Sequence, residues 1–513
     1  MAKKKNIEFS EPALRAILSN QIQNAIGFLG GELSESRRKS LEYYLGDRLG
    51  TEIDGRSQVV STDVADTIES MLPGLLKVFT ASDKVVSCEP VTGEDVGIAE
   101  QATAYLNHVF YKDNPGFKLL YNFFKDALIE KNGFLKVYFD ETETVEHETY
   151  KNLTLAEKEA LLDTKDDIEL VEEEEIEDTV AAEQIDFGKA EAEARGIDIS
   201  QVVFPEPVLY NCKIKRISKT GKVKIESIPP EEFLINRTAK TIDDADFVSH
   251  KVLMTRSDIV QMGFPQEEVD LLPRTENDIF NQDQIIRNQN ISNFQTNIAT
   301  DSSTEKVLVY ESYIKYDYDQ DGIAELRKVI SAGDDGFKVL SNEPCDGVPF
   351  VSVTPIPMPH RFYGRSISEL VEDIQLMKST VMRQLLDNMY LTNNNRVAIM
   401  DGMVNMDDLL TTRPGGVVRT KQPPNQVMQP LQAQPISQQA FPLLSYLDSV
   451  REVRSGVSKQ AQGLDPNTLN AKTATGVNAL MTQTQMRSEL VARVFAETGV
   501  KDLFNKIFEL MVK

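Results

Sequence analysis

From Ile367 to Met389 the chain carries apolar residues at Ile367, Leu370, Ile374, Met377, Val381, Leu385 and Met389, steps of three or four that a helix gathers onto one face. Ser366 with Glu369 three residues on is a capping box, so this helix opens near Gly364, and the Asn393-Asn394-Asn395 run stops it. A compact stretch follows from Arg396 to Pro430, where Val397–Met400 and Val417–Arg419 read as short strands around the Pro414-Gly415-Gly416 turn. A second helix is expected from about Ser437 to Lys459, then a loop at Gln462–Ala471. A further long helix starts at Thr473, with Val477, Leu480, Met481, Leu490, Val491, Val494, Leu503, Phe504, Ile507 and Met511 at helical spacing. Helix, small β-rich lobe, helix, loop and helix is the order any fold of this chain must accommodate.

At 513 residues and 41% hydrophobic content the chain can bury several cores, roughly two to four domains' worth. Its formal charge of −25 argues against a protein that grips nucleic acid over its whole surface, though not against a channel through which DNA slides. Cys88, Cys212 and Cys345 stand far apart without a CxxC pair, which points to a reducing compartment and to neither a zinc cluster nor a disulfide framework. The lysines of MAKKKNIEFSEP are not followed by an apolar stretch, and no run approaches membrane-spanning length, so neither export nor a membrane is expected.

The N-terminal part reads as helices at Ser34–Leu45, Ala99–Tyr111 and Phe117–Glu130, the last ended by Asn132-Gly133. Between them, Gly55-Arg56-Ser57-Gln58 makes a turn before a helix with Asp63 as its N-cap and Val64, Ile68, Met71, Leu72, Leu75, Leu76 and Phe79 on one broad apolar face. Phe134–Phe139 reads as a strand. Glu141 to Glu193 is acidic, with a charge block at 171–178 expected to be exposed and mobile in a peripheral insertion. Val208–Ile217 and Lys222–Ile228 read as a hairpin turning at Thr220-Gly221, with Pro229–Ile235 closing a strand edge. The polar stretch Asn277–Thr304 reads as a long loop.

Val307–Tyr316 and Leu326–Ile330 flank the clearest metal-ligand spacing, Asp317, Asp319 and Asp321 with Gly322 and Glu325. Alternate carboxylates can converge on one hard cation. Lys328 stands where a helix–loop–helix calcium loop needs its bidentate glutamate, so this is no EF-hand. A structural calcium ion in a hairpin and a solvated acidic turn both remain open. Catalysis finds no footing: no phosphate-binding GxxxxGK[ST], no GxGxxG after a strand, and His108, His147, His250 and His360 standing singly.

The ordered residues Gly55-Arg56-Ser57-Gln58 and Asp63-Val64-Ala65-Asp66, the Leu72-Pro73-Gly74-Leu75 break, the Pro229-Pro230-Glu231-Glu232-Phe233 run and the helix–lobe–helix–loop–helix order resemble the portal, or head-to-tail connector, proteins of tailed bacteriophages, podovirus-like in type. The resemblance covers Ser34 to the end apart from the acidic insertion. It implies an α+β portal-protein fold: a mixed wing region over 1–363 (acidic insertion about 141–200, acidic hairpin 307–330), a first stem helix 364–395, a clip 396–436, a second stem helix 437–459, a tunnel loop 460–473 and a long wing or crown-side helix 474–513. Such proteins usually continue into a crown, and this sequence ends at Lys513 without a C-cap.

Function follows from the resemblance too. It implies a homo-oligomeric ring, about twelve subunits, at one capsid vertex of the virion, made in host cytoplasm. Double-stranded DNA passes through it in packaging and ejection. Terminase large subunit, a head–tail adaptor and capsid or scaffolding protein are its partners, and it needs no cofactor. The matched order makes Lys459, Gln460, Asn470 and Lys472 tunnel-loop candidates and Arg396, Arg413, Arg419 and Lys421 clip candidates, each otherwise a solvated surface group. Competing readings are another ring-forming virion component such as a head–tail adaptor, and a calcium-dependent binding protein built on Asp317–Glu325.

Overall fold

The computed structural model describes residues 11–28, 31, 33–48, 50–82, 84–90, 92–163, 168–177, 187, 208–273, 301–411, 413–431, 434–457 and 487–512. They form an α+β protein in two compact units, one made of 1–137 with 225–513 and the other of 138–224.

The larger unit is built on a five-stranded antiparallel sheet ordered β4 (Phe233–Ile235), β5 (Phe247–Thr255), β6 (Lys306–Tyr316), β7 (Glu325–Ala332) and β8 (Lys338–Pro344). Successive strand residues point to opposite faces, so neighbours in sequence enter different cores. Leu234, Phe247 and Ile314 join Leu14, Leu18 and Ile22 of the Glu11–Phe28 helix, while Phe233, Val248 and Tyr313 join Phe134 and Phe350. Phe134 stacks on Phe233 with ring centroids 4.1 Å apart, and each such ring taken from water contributes roughly 1.5–3 kcal/mol. The first residues of β1 (Gly133–Leu153) pair with β9 (Phe350–Val353) in the register Gly133↔Val353.

Helices make the rest of this unit. Asp63–Thr80 and Gly116–Glu130 are strongly amphipathic, and Phe79, Phe124 and Phe495 form a run with centroids 5.1 and 4.8 Å apart. The expected long helix is Ser368–Asn393, with Ser366 and Glu369 exchanging backbone–side-chain hydrogen bonds of 3.3 and 3.1 Å as a capping box. The following helix, Ser437–Ser455, is shorter than expected because Gly456 takes the left-handed conformation (φ 76°) and ends it. Between them β10 (Arg396–Ile399) pairs with β11 (Met428–Leu431), not with the expected strand at Val417–Arg419, of which only the adjoining Thr420 makes a bridge, to Val404.

The 138–224 unit overturns two readings. β3 (Val208–Ile228) runs unbroken through Thr220-Gly221, so the expected hairpin does not exist. Gly221 is small for another reason: a Cβ there would lie 2.0 Å from the Phe139 ring. The described part of the acidic stretch forms regular elements, exposed as expected over 171–176 but built into a sheet. β1 continues to Leu153, a helix covers Leu155–Asp163, and β2 (Ile168–Glu177) carries the glutamates antiparallel to β3, Glu174 opposite Asn211. Exposed strands tolerate glutamate when lysines and arginines stand nearby: Lys213 pairs with Glu172, Lys158 with Glu173 and Arg216 with Glu148.

Candidate functional site

The Gly55–Asp66 signature meets the middle of the Ser368–Asn393 helix. Gln375, Ser379, Arg383 and Asp387 follow one another four residues apart, so they form one stripe along that helix. Each takes a partner from the N-terminal segment. Gln375 Oε1 accepts from Val64 N at 2.8 Å and its Nε2 donates to Tyr43 O at 2.9 Å. Ser379 Oγ accepts from Ser61 N at 2.9 Å, and Asp387 Oδ1 from Ser57 N at 2.8 Å. Arg383 donates to Val59 O at 2.8 Å and Thr51 Oγ1 at 2.9 Å and pairs with Glu52.

The stripe ends in a buried charge cluster. Asp63, only 1% exposed, receives Lys378 Nζ at 2.8 Å and Arg451 Nη1 at 2.9 Å, and Lys378 also reaches Asp448 at 2.8 Å. Three helices are thereby tied at one point. Burial alone would lower the Lys378 pKa, but its hydrogen bonds to Asp448 and Asp63 outweigh that and hold it above the ordinary lysine value. Asp63 is therefore not the N-cap expected of it. The expected apolar face is buried at Ile367, Ile374 and Leu385, but Met377 and Met389 on it are 44% and 49% exposed, and the polar Gln375, Ser379 and Arg383 are buried beside it. An Asp and an Arg separated by almost four hundred residues gave no local signal of their pairing.

The other expected residues are placed individually. The carboxylates of Asp317, Asp319 and Asp321 converge to within 4.8 Å of one another. Backbone N–H groups of the turn already serve them: Gly322 N donates to Asp317 at 2.8 Å and Ile323 N to Asp321 at 2.8 Å. Glu325 is not in this group; it begins β7, 3.8 Å from Arg327, and Lys328 pairs with Glu311 at 3.3 Å. In the small lobe Arg396, Arg413 and Lys421 are exposed. Arg419 is held by both oxygens of Asp408, at 2.6 and 3.1 Å, which raises its pKa and lowers that of Asp408. Lys459, Gln460, Asn470 and Lys472 lie outside the described residues. Among the described residues no helix is long and apolar enough to cross a membrane.

What this geometry defines is a polar joint that locks two long helices to the N-terminal region. The model of the phage SU10 portal protein family matches residues 14–513, and the chain belongs to that family. It is accordingly a bacteriophage virion structural protein of the portal type. No curated protein matches the chain.

Proposed function

We propose that the chain is the repeating subunit of a ring at one capsid vertex, through which double-stranded DNA enters during packaging and leaves during ejection, and on which terminase and the tail dock. The family match across nearly the whole chain is the observation that carries this reading. The polar joint supports it, because a conduit under load needs its long helices fixed against the body, and a ring needs two different complementary faces on each subunit. The overall negative charge supports it as well: every phosphate neutralised would add affinity and slow passage, so the duplex is met by few cations. In this scheme Ser368–Asn393 and Ser437–Ser455 are the stem helices, and the β10–β11 lobe is the clip.

Negative-stain images and native mass of the purified full chain test the proposal. The expected result is a closed ring with a central hole, about twelve copies round. A chain that stays monomeric at micromolar concentration, alone and with capsid or scaffolding protein added, rules it out.

A further inference from the structure

A cavity of about 560 Å³ opens in the larger unit among the turn after β4, the segment from Met358 to Arg365 and Lys131 at the end of the Gly116–Glu130 helix. Its lining holds Lys131, Arg237, Arg361 and Arg365 against one carboxylate, Glu369, a formal +3 in a chain of −25. Glu369 is shared: Lys131 Nζ lies 2.9 Å from one oxygen, Arg365 Nε 3.8 Å from the other, and Ser36 Oγ donates to it at 3.2 Å. The exposed Arg361 guanidinium has no side-chain partner among the described residues, so positive charge in the cavity is in excess.

The backbone around the cavity is specialised. Lys131 and His360, both lining it, are two of the four described non-glycine residues with positive φ, at 81° and 64°. Such conformations are strained and collect where a site must be shaped. The wall beside them depends on Gly364, where a Cβ would stand 2.3 Å from both Ile356 O and Thr354 Oγ1.

We propose that this cavity is an anion pocket that receives the glutamates of the run Glu172–Glu175 from a second copy of the chain. The inference rests on the ring reading and names one of its contacts. A cavity this size admits a few side chains, whereas duplex DNA is a stiff rod that offers its phosphates on a convex surface and cannot enter. The acidic run has the matching charge and is exposed along β2; Glu175 has no side-chain partner among the described residues. Exposed pairs such as Glu172–Lys213 cost little to exchange for a new cationic partner. A basic pocket on one copy and an acidic strand on the next are the two unlike faces that a head-to-tail contact requires.

The test is fluorescence anisotropy of a labelled peptide spanning residues 168–178, titrated with the full chain at two salt concentrations. Binding that weakens with salt, and falls about tenfold or more in Arg237→Glu/Arg361→Glu, is expected. A peptide with Glu172–Glu175 replaced by lysine should bind the reversed pocket in preference to the wild-type one. Arg361→Gln, a milder change, should weaken the original peptide in the same direction. Peptide binding that ignores these substitutions overturns the proposal. So does a pocket that takes inorganic phosphate or a short DNA duplex, with loss in the variants, but not the peptide. A wild-type chain that binds the peptide yet never forms rings sinks the ring reading alone, and rings that assemble and resist salt equally well in Arg237→Glu/Arg361→Glu sink the pocket alone.

Discussion

Residues 138–224 and the rest of the chain are held together by different means. The smaller unit carries 23 acidic and 11 basic side chains, so its −12 is almost half of the net −25, and among its described residues only Cys212, Ile214 and Val223 are buried hydrophobics. Its described residues are long strands, backbone ladders and exposed ion pairs, a ribbon with few buried apolar side chains. The larger unit buries aromatic and aliphatic residues on both faces of its sheet and places charges inside its helical part. The lesson is that the same chemical pair, a carboxylate and a cation, carries very different energies in the two places: within a desolvated joint it is indispensable once formed, and on a ribbon it is nearly optional.

The largest expected effect is at Asp63. Asp63→Ala leaves Lys378 and Arg451 buried without the carboxylate they share, and the cost is about 3–5 kcal/mol in chemical denaturation. The quadruple change Asp63→Leu/Lys378→Met/Asp448→Asn/Arg451→Met removes the charges together and should cost clearly less than the single one. A loss below about 1 kcal/mol for Asp63→Ala would erase the distinction between the two units.

A smaller effect is expected at Glu311, between Lys136, at ion-pair distance, and Lys328 at 3.3 Å, with the Tyr313 hydroxyl donating at 2.7 Å. Burial pushes its pKa up, but the two lysines and these hydrogen bonds prevail and bring it down from 4.5 to about 2. A carboxyl depressed in the folded state stabilises above its unfolded value. That contribution, a few kcal/mol, is present above about pH 4.5 and is lost as pH falls toward about 2. Unfolding followed across that window should show the loss in the wild type and a flatter profile in Glu311→Gln; matching profiles would remove Glu311 from the account.

The sequence reading succeeded where one local rule decided the outcome. The Ser366–Glu369 box and the apolar runs either side of the Asp317–Gly322 turn needed no distant partner, so the long helix and the acidic hairpin are found where expected. It failed where burial was decided elsewhere in the chain. Gln375, Ser379 and Arg383 repeat every four residues as regularly as the apolar positions do, but only the Gly55–Val64 segment laid over them buries that stripe beside Ile374 and Leu385. Gly221 reads as a turn unless Phe139 is known to lie against it. Glutamate-rich composition suggested a mobile insertion because it cannot form a core, yet a ribbon paired by backbone hydrogen bonds does not need one. The converging Asp317, Asp319 and Asp321 were legible from their spacing; the departure of Glu325 was not, because strand pairing opposite Tyr316 sets its direction.

The smallest expected effect is the sharpest test of the comparison. Arg216 and Glu148 approach to 3.3 Å in the smaller unit with side chains 43% and 31% exposed. Water screens both charges, and holding two long side chains in one geometry costs entropy, so a double-mutant cycle through Glu148→Gln and Arg216→Gln should give a coupling of about 0.2–1 kcal/mol. In ~1 M salt the screening length shrinks to about 3 Å and the coupling should vanish. The corresponding cycle between Asp63 and Arg451 should keep most of its value in the same salt, since mobile ions do not reach a carboxylate that is 1% exposed. Equal salt sensitivity in the two cycles would mean that the joint is wet, and that helix packing rather than its buried charge ties the long helices to the N-terminal region.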